Sequence, residues 1–167
     1  MKFLSLICFV ALLLSCTKKG NEISEDPAFV SNISKNNNYW KIESTKGFYH
    51  TNDSMLFIMV FGESNERLTI SFKRDDKNMG EQKSYSAEMI EPNCEHCASI
   101  KNGYRIDNTK NNSLEFLSLT TSSSPHKIGV RFSINMKKDS VYKNNKPLNI
   151  VYDGTLVVPV QNENNSD

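Results

Sequence analysis

Apolar and polar positions alternate along much of this chain with a period of two residues. The longest stripe is Ile128, Val130, Phe132, Ile134 and Met136, with Arg131, Ser133 and Asn135 between them. That spacing puts the apolar set on one face of a strand and the polar set toward solvent. Arg67–Lys73 alternates in the same way, with Leu68, Ile70 and Phe72 on the core side, and Trp40 and Ile42 share a face in 39–43. Met55 to Phe61 is instead a continuous apolar run, too short for a typical helix and rich in aromatic and branched residues. It predicts a central strand buried on both faces. Gly62-Glu63-Ser64-Asn65-Glu66 has turn chemistry, so the strands on either side of it are expected to form a hairpin. Further strands are expected near 84–90, 103–107, 113–120, 127–136 and 148–160. Leu114 and Phe116 are in one phase and Leu117 and Leu119 in the other, which predicts a face change or a bulge in mid-strand. No segment carries a long 3.6-residue period. The fold expected is all-β, a single antiparallel β-sandwich or open barrel of about seven to nine strands.

Both ends of the chain depart from that pattern. Lys2 is followed by an apolar run from Phe3 to Leu14, interrupted only by Ser5. This is the order of a secretory signal, and the run is too short to span a bilayer, which takes about 20 residues. It closes on Leu13-Leu14-Ser15-Cys16, which resembles the lipobox of bacterial lipoprotein precursors. The resemblance implies that 1–15 are removed and that Cys16 is acylated and becomes the first residue. Residues 17–38 are polar and are read as a flexible tether, with short local structure around Ala28-Phe29-Val30 allowed. The expected organisation is therefore signal 1–15, lipidated Cys16 and tether 16–38, β domain 39–160, and polar tail 161–167.

Charge excludes some partners. The chain has twenty basic and nineteen acidic residues, and loss of Lys2 with the signal leaves nineteen of each. No net field favours nucleic acid, and no glycine-rich phosphate loop is present.

The densest local chemistry is Cys94-Glu95-His96-Cys97. Three readings are open. Cys94 and Cys97 are the only thiols left once Cys8 is removed and Cys16 acylated, so a local disulfide in an oxidising compartment is the favoured one. Alternatively Cys94, His96 and Cys97 ligate a metal, though a structural zinc site needs a fourth ligand. Redox catalysis would want the first Cys at a helix N-terminus. No other cofactor is implied.

Hydrolytic chemistry has less support. No Gly-x-Ser-x-Gly elbow occurs, His50 reads as an exposed strand end, and His126 opens a strand facing solvent. Asp75-Asp76 lies in a polar turn without the calcium-loop pattern. Tyrosines and Trp40 are numerous enough to serve as stacking or anchoring groups, although aromatics at alternating positions usually pack in the core. Asp53-Ser54-Met55 and Asp139-Ser140-Val141 resemble the Asp-Ser/Thr-apolar acceptor of O-glycosylation in exported Bacteroidota proteins, which makes Ser140 and Ser54 candidate sites.

The lipobox, the tether, the early Tyr39-Trp40 strand, the apolar hairpin and the closing Gly154-Thr155-Leu156-Val157-Val158 together resemble small β-sandwich lipoproteins of Bacteroidota. The resemblance implies a domain outside the cytoplasm, held by lipid to a bacterial membrane. The outer membrane is expected, and Thr17-Lys18-Lys19-Gly20 lacks an acidic surface-export cluster, which favours the periplasmic face. It carries no activity with it. The function expected is a membrane-anchored, non-enzymatic binding domain for an envelope glycan or protein. The alternative is a periplasmic thiol or metal-handling protein built on the Cys94–Cys97 loop.

Overall fold

The computed structural model describes residues 30–74, 80–94, 98–120 and 126–163, with the side chains of 118–120, 162 and 163 left aside. Its elements are β1 (Asn32–Lys35), β2 (Asn38–Tyr39), β3 (Ile42–His50), β4 (Met55–Gly62), β5 (Arg67–Lys73), β6 (Gly80–Glu81), β7 (Tyr85–Pro92), β8 (Ile100–Ile106), β9 (Ser113–Thr120), β10 (His126–Lys138) and β11 (Asn149–Glu163). The all-β expectation holds.

All eleven strands belong to one sheet, ordered β2-β1-β11-β3-β4-β5-β7-β8-β10-β9-β6, and β10 also pairs with β11. That extra pairing closes a ring of seven strands, β3-β4-β5-β7-β8-β10-β11. The molecule is thus a closed barrel with two short flaps, where a sandwich or open barrel with fewer strands was expected.

Closure depends on two strands long enough to change neighbours. β10 and β11 pair from His126↔Val160 to Lys137↔Asn149. The other edge of β10 carries β9 along 127–133 and β8 along 136–138. The other edge of β11 carries β1 along 152–155 and β3 along 160–163. The β11–β3 pairing is parallel, so the expected all-antiparallel sheet does not hold at this seam, beside the antiparallel β1–β11 pairing.

The period-two stripes fill the barrel. Leu56, Ile58 and Val60 of β4, Leu68, Ile70 and Phe72 of β5, and Ile128 to Met136 of β10 are buried in one core. Trp40 is also core, with its ring edge-on to Tyr152 at 4.9 Å. The register of β9 on β10 shifts between Gly129 and Val130, which leaves Leu117 as the extra residue the phase change predicted.

Two expectations need correction. Met55, Phe57, Met59 and Phe61 are only half-buried, because a closed single sheet has one interior and β4 turns every second residue outward. The folded region also begins earlier than residue 39. β1 carries a single buried apolar residue, Ile33, too little to register as a pattern, and it docks where Gly154 leaves room. A Cβ at Gly154 would sit 2.3 Å from the Asn32 carbonyl oxygen. Asn36 and Asn37 both have positive φ and join β1 to β2 in a two-residue hairpin turn, with Lys35 opposite Asn38. At the far end β11 runs to Glu163, three residues into the stretch read as tail.

Candidate functional site: the polar mouth of the barrel

One end of the barrel, its mouth, gathers the β1–β2 turn, the Gly62–Glu66 turn, the paired Asn93 and Ser99 between β7 and β8, and the 139–148 connection between β10 and β11. Among the described residues the buried polar or charged side chains are Glu66, Glu91, Asn102 and Lys138, and all four lie here. Each occupies the next in-phase position beyond an apolar stripe. Glu66 precedes Leu68, Glu91 follows Met89, Asn102 precedes Tyr104, and Lys138 follows Met136. The stripes place these groups inward, and the chain ends of four strands bring them together.

Two networks satisfy them. Glu66 accepts from Lys35 Nζ at 2.5 Å and from the Trp40 indole N–H at 3.0 Å. Glu91 accepts from Asn102 Nδ2 at 2.6 Å and pairs with Lys101 at 3.2 Å and Lys146 at 3.7 Å. Asn144 donates to Asn102 Oδ1 and itself accepts from Lys138 Nζ, which also donates to the Asn144 carbonyl at 3.0 Å. Tyr104 donates to the Pro147 carbonyl at 2.9 Å. The 139–148 connection is therefore held from beneath by buried partners, and Tyr142 covers Gly103, where a Cβ would meet its ring at 2.8 Å.

The electrostatics follow from this geometry. Burial pushes the Glu91 carboxyl up, but Asn102, Lys101 and Lys146 outweigh it and hold the group below the ordinary range. Burial, reinforced by the Glu66 carboxylate, pushes the Tyr152 phenol well above its usual value. Tyr152 Oη is buried and has no hydrogen-bond partner of good geometry among the described residues.

Above this buried layer the mouth is apolar and basic. Tyr39, Ile100, Val141 and Leu148 are exposed on its turns and connections, and Lys101 and Lys146 keep about half their side chains in solvent. Arg105 reaches Asp139 at 3.7 Å at its edge.

The residues singled out by sequence are dispersed. Cys94 is exposed at the mouth and disulfide-bonded. Cys97 and His96, like Cys16 and Asp75-Asp76, lie outside the described residues. Ser140 is exposed beside the mouth. Ser54 is half-buried at the opposite end, in a left-handed turn with φ 58°. His50 Nδ1 donates to the Asp53 carboxylate at 2.9 Å in that same turn, and His126 is exposed at the start of β10. No group of three or more His, Cys, Asp or Glu among the described residues is arranged to hold a metal. No described helix is long and apolar enough to cross a membrane. Compared with known protein families, curated proteins and solved structures, the chain matches none of them.

Proposed function

We propose that this chain is a bacterial lipoprotein, held by an acylated Cys16 to the outer membrane and facing the periplasm. Its barrel is a non-enzymatic module that binds an envelope glycan or protein through the mouth. One observation carries the binding role. Tyr39 of β2, Ile100 at the start of β8, and Val141 and Leu148 on the 139–148 connection are exposed above hydrogen bonds to the buried Glu66, Glu91, Asn102 and Lys138. A rigid loop surface with exposed aromatic and aliphatic groups loses little entropy on binding. The charged groups beneath it hold one another, which suits a supporting role.

A thiol or metal role for Cys94, His96 and Cys97 is the weaker reading. It needs a thiolate that the disulfide at Cys94 consumes.

The test uses the mature chain, residues 16–167, with Cys16→Ser, as bait on a glycan array and in a pulldown from detergent-solubilised envelopes. A glycan or protein should be retained, and Tyr39→Ala with Leu148→Ser should weaken retention about tenfold, the scale of a lost aromatic anchor. Recovery of nothing by either route overturns the binding role. The anchor is checked separately, by intact mass of the full chain from membranes. Acyl addition should be present, and absent in Cys16→Ser.

A further inference from the structure

The outer face of β4 is unlike the rest of the barrel exterior. Its outward residues are Met55, Phe57, Met59 and Phe61, and Phe48 of β3 stands directly opposite Phe57. Outward positions on β10 are polar, with Arg131, Ser133 and Asn135, and those on β7 and β11 mix polar residues such as Ser86, Glu88, Asp153 and Thr155 with single aliphatics such as Ile90 and Val157.

Basic side chains flank this stripe on both sides. Lys46 of β3 pairs opposite Met59 and holds its ammonium 5.8 Å from the Phe61 ring centroid. Arg67 and Lys73 of β5 pair opposite Phe61 and Met55. Arg67 Nε is buried and makes no hydrogen bond to any described residue. Acids border the face at its ends, with exposed Glu43 at the β3 bulge beside Phe61, Glu63 just after β4 and Asp53 in the turn with His50, while Glu88 stands two strands from β4.

The route of the chain brings this face close to the proposed anchor. Ser31 hydrogen-bonds to both backbone groups of Val157, while β3 takes the same edge of β11 from Val160 onward. The chain therefore meets the barrel at the short gap between them, beside β3, and Val30 there is exposed. Strand spacing puts β4 about 10 Å away. From Cys16 to Val30 the chain can span at most about 50 Å, so an anchored barrel stays within reach of the bilayer surface.

We propose that the β3–β4–β5 outer face docks onto an anionic lipid surface, with the stripe of Phe and Met side chains at the headgroup boundary and Lys46, Arg67 and Lys73 against phosphates. This rests on the lipid-anchor reading and extends it. Aromatic and Met side chains ringed by Lys and Arg are the composition that an interfacial surface rewards. With acyl chains already holding the protein, docking would fix which way the mouth points.

The test removes the acyl chains so that it does not share its failure with the anchor. The mature chain with Cys16→Ser is sedimented with vesicles of equal parts phosphatidylcholine and phosphatidylglycerol, and with phosphatidylcholine alone. Binding should appear on the anionic vesicles and fall with salt. Lys46→Glu with Lys73→Glu, at solvent-facing positions that leave the core untouched, should lower the affinity about tenfold or more. Phe57→Ser should lower it as well. No binding, equal binding to neutral vesicles, or binding indifferent to both variants overturns the proposal. Self-association of the free chain that Phe57→Ser abolishes, without vesicle binding, overturns it in favour of a contact between copies. Acylation of Cys16, read by mass, reports on the anchor independently.

Discussion

Trp40 donates its indole N–H to Glu66 across the mouth of the barrel, at 3.0 Å, and both residues are buried. The same carboxylate holds Lys35, so one side chain ties β1, the Trp40 segment and the β4–β5 turn together. Glu66→Ala would leave the indole donor buried and unpaired, at a cost of about 1–3 kcal/mol in urea unfolding. Glu66→Gln keeps an acceptor for the indole and should lose less. Trp40 is the only tryptophan, so its fluorescence reads this contact without interference.

Gly62 lies under that indole. A Cβ at Gly62 would stand 2.2 Å from the Trp40 ring, and the ring, packed on Tyr152, has little room to move. Gly62→Ala should destabilise the barrel by about 1–3 kcal/mol and shift the Trp40 emission toward that of an exposed indole. An unchanged urea midpoint would mean that the indole moves aside freely.

Tyr152 offers the opposite expectation. Its hydroxyl is buried beside the Glu66 carboxylate but makes no hydrogen bond of good geometry, so Tyr152→Phe removes a poorly paired group and should be neutral or stabilising at pH 7, by up to about 1 kcal/mol. The pH dependence has a definite sign. The folded phenol is raised above its unfolded value of about 10, so its titration costs the fold nothing below that pH and lowers stability as the unfolded chain ionises above it. Alkaline unfolding followed by circular dichroism should be shallower in Tyr152→Phe. It should not vanish, because Tyr85 and Tyr104 are raised by burial as well.

Glu91 is the buried contributor on the acid side, beside the exposed Asp53 and Asp107, which hydrogen bonds to His50 and Thr109 also lower. Its folded carboxyl is held below the ordinary value, so its stabilisation is present above about pH 4.3 and is lost as pH falls from there through the folded value. Glu91→Gln should flatten the acid limb of a stability profile and cost about 1–2 kcal/mol at pH 7, since Lys101 and Lys146 lose their partner. An acid limb identical in both proteins would place the titration elsewhere.

The strands were legible in sequence wherever alternation was long, as in Ile128 to Met136 and Leu68 to Phe72. β1 was not, because a four-residue strand with one buried side chain leaves no period to read. The exposed half of β4 was misjudged for a related reason. A continuous apolar run has no phase, so sequence cannot say which residues a closed sheet will turn outward. The mouth escaped notice because Glu66, Glu91, Asn102 and Lys138 look like ordinary surface residues at strand ends. Their common signal is positional: each continues the inward phase of its neighbour by one step. The Cys94 segment attracted attention through composition, and its disulfide leaves the chemistry of the mouth to residues from four separate strands.

The parallel seam between β3 and β11 joins Gly47 to Val160, among the first and the last strands in the chain. A nascent chain that lacks its final strand can pair β3 with β4 and β1 with β2, but the ring stays open between β3 and β10, and β10 lacks its longest partner. Closure of the barrel has to wait for the C-terminal strand to emerge, and contacts so distant in sequence form slowly. On the export route proposed above, that delay keeps the barrel open until its last strand has crossed.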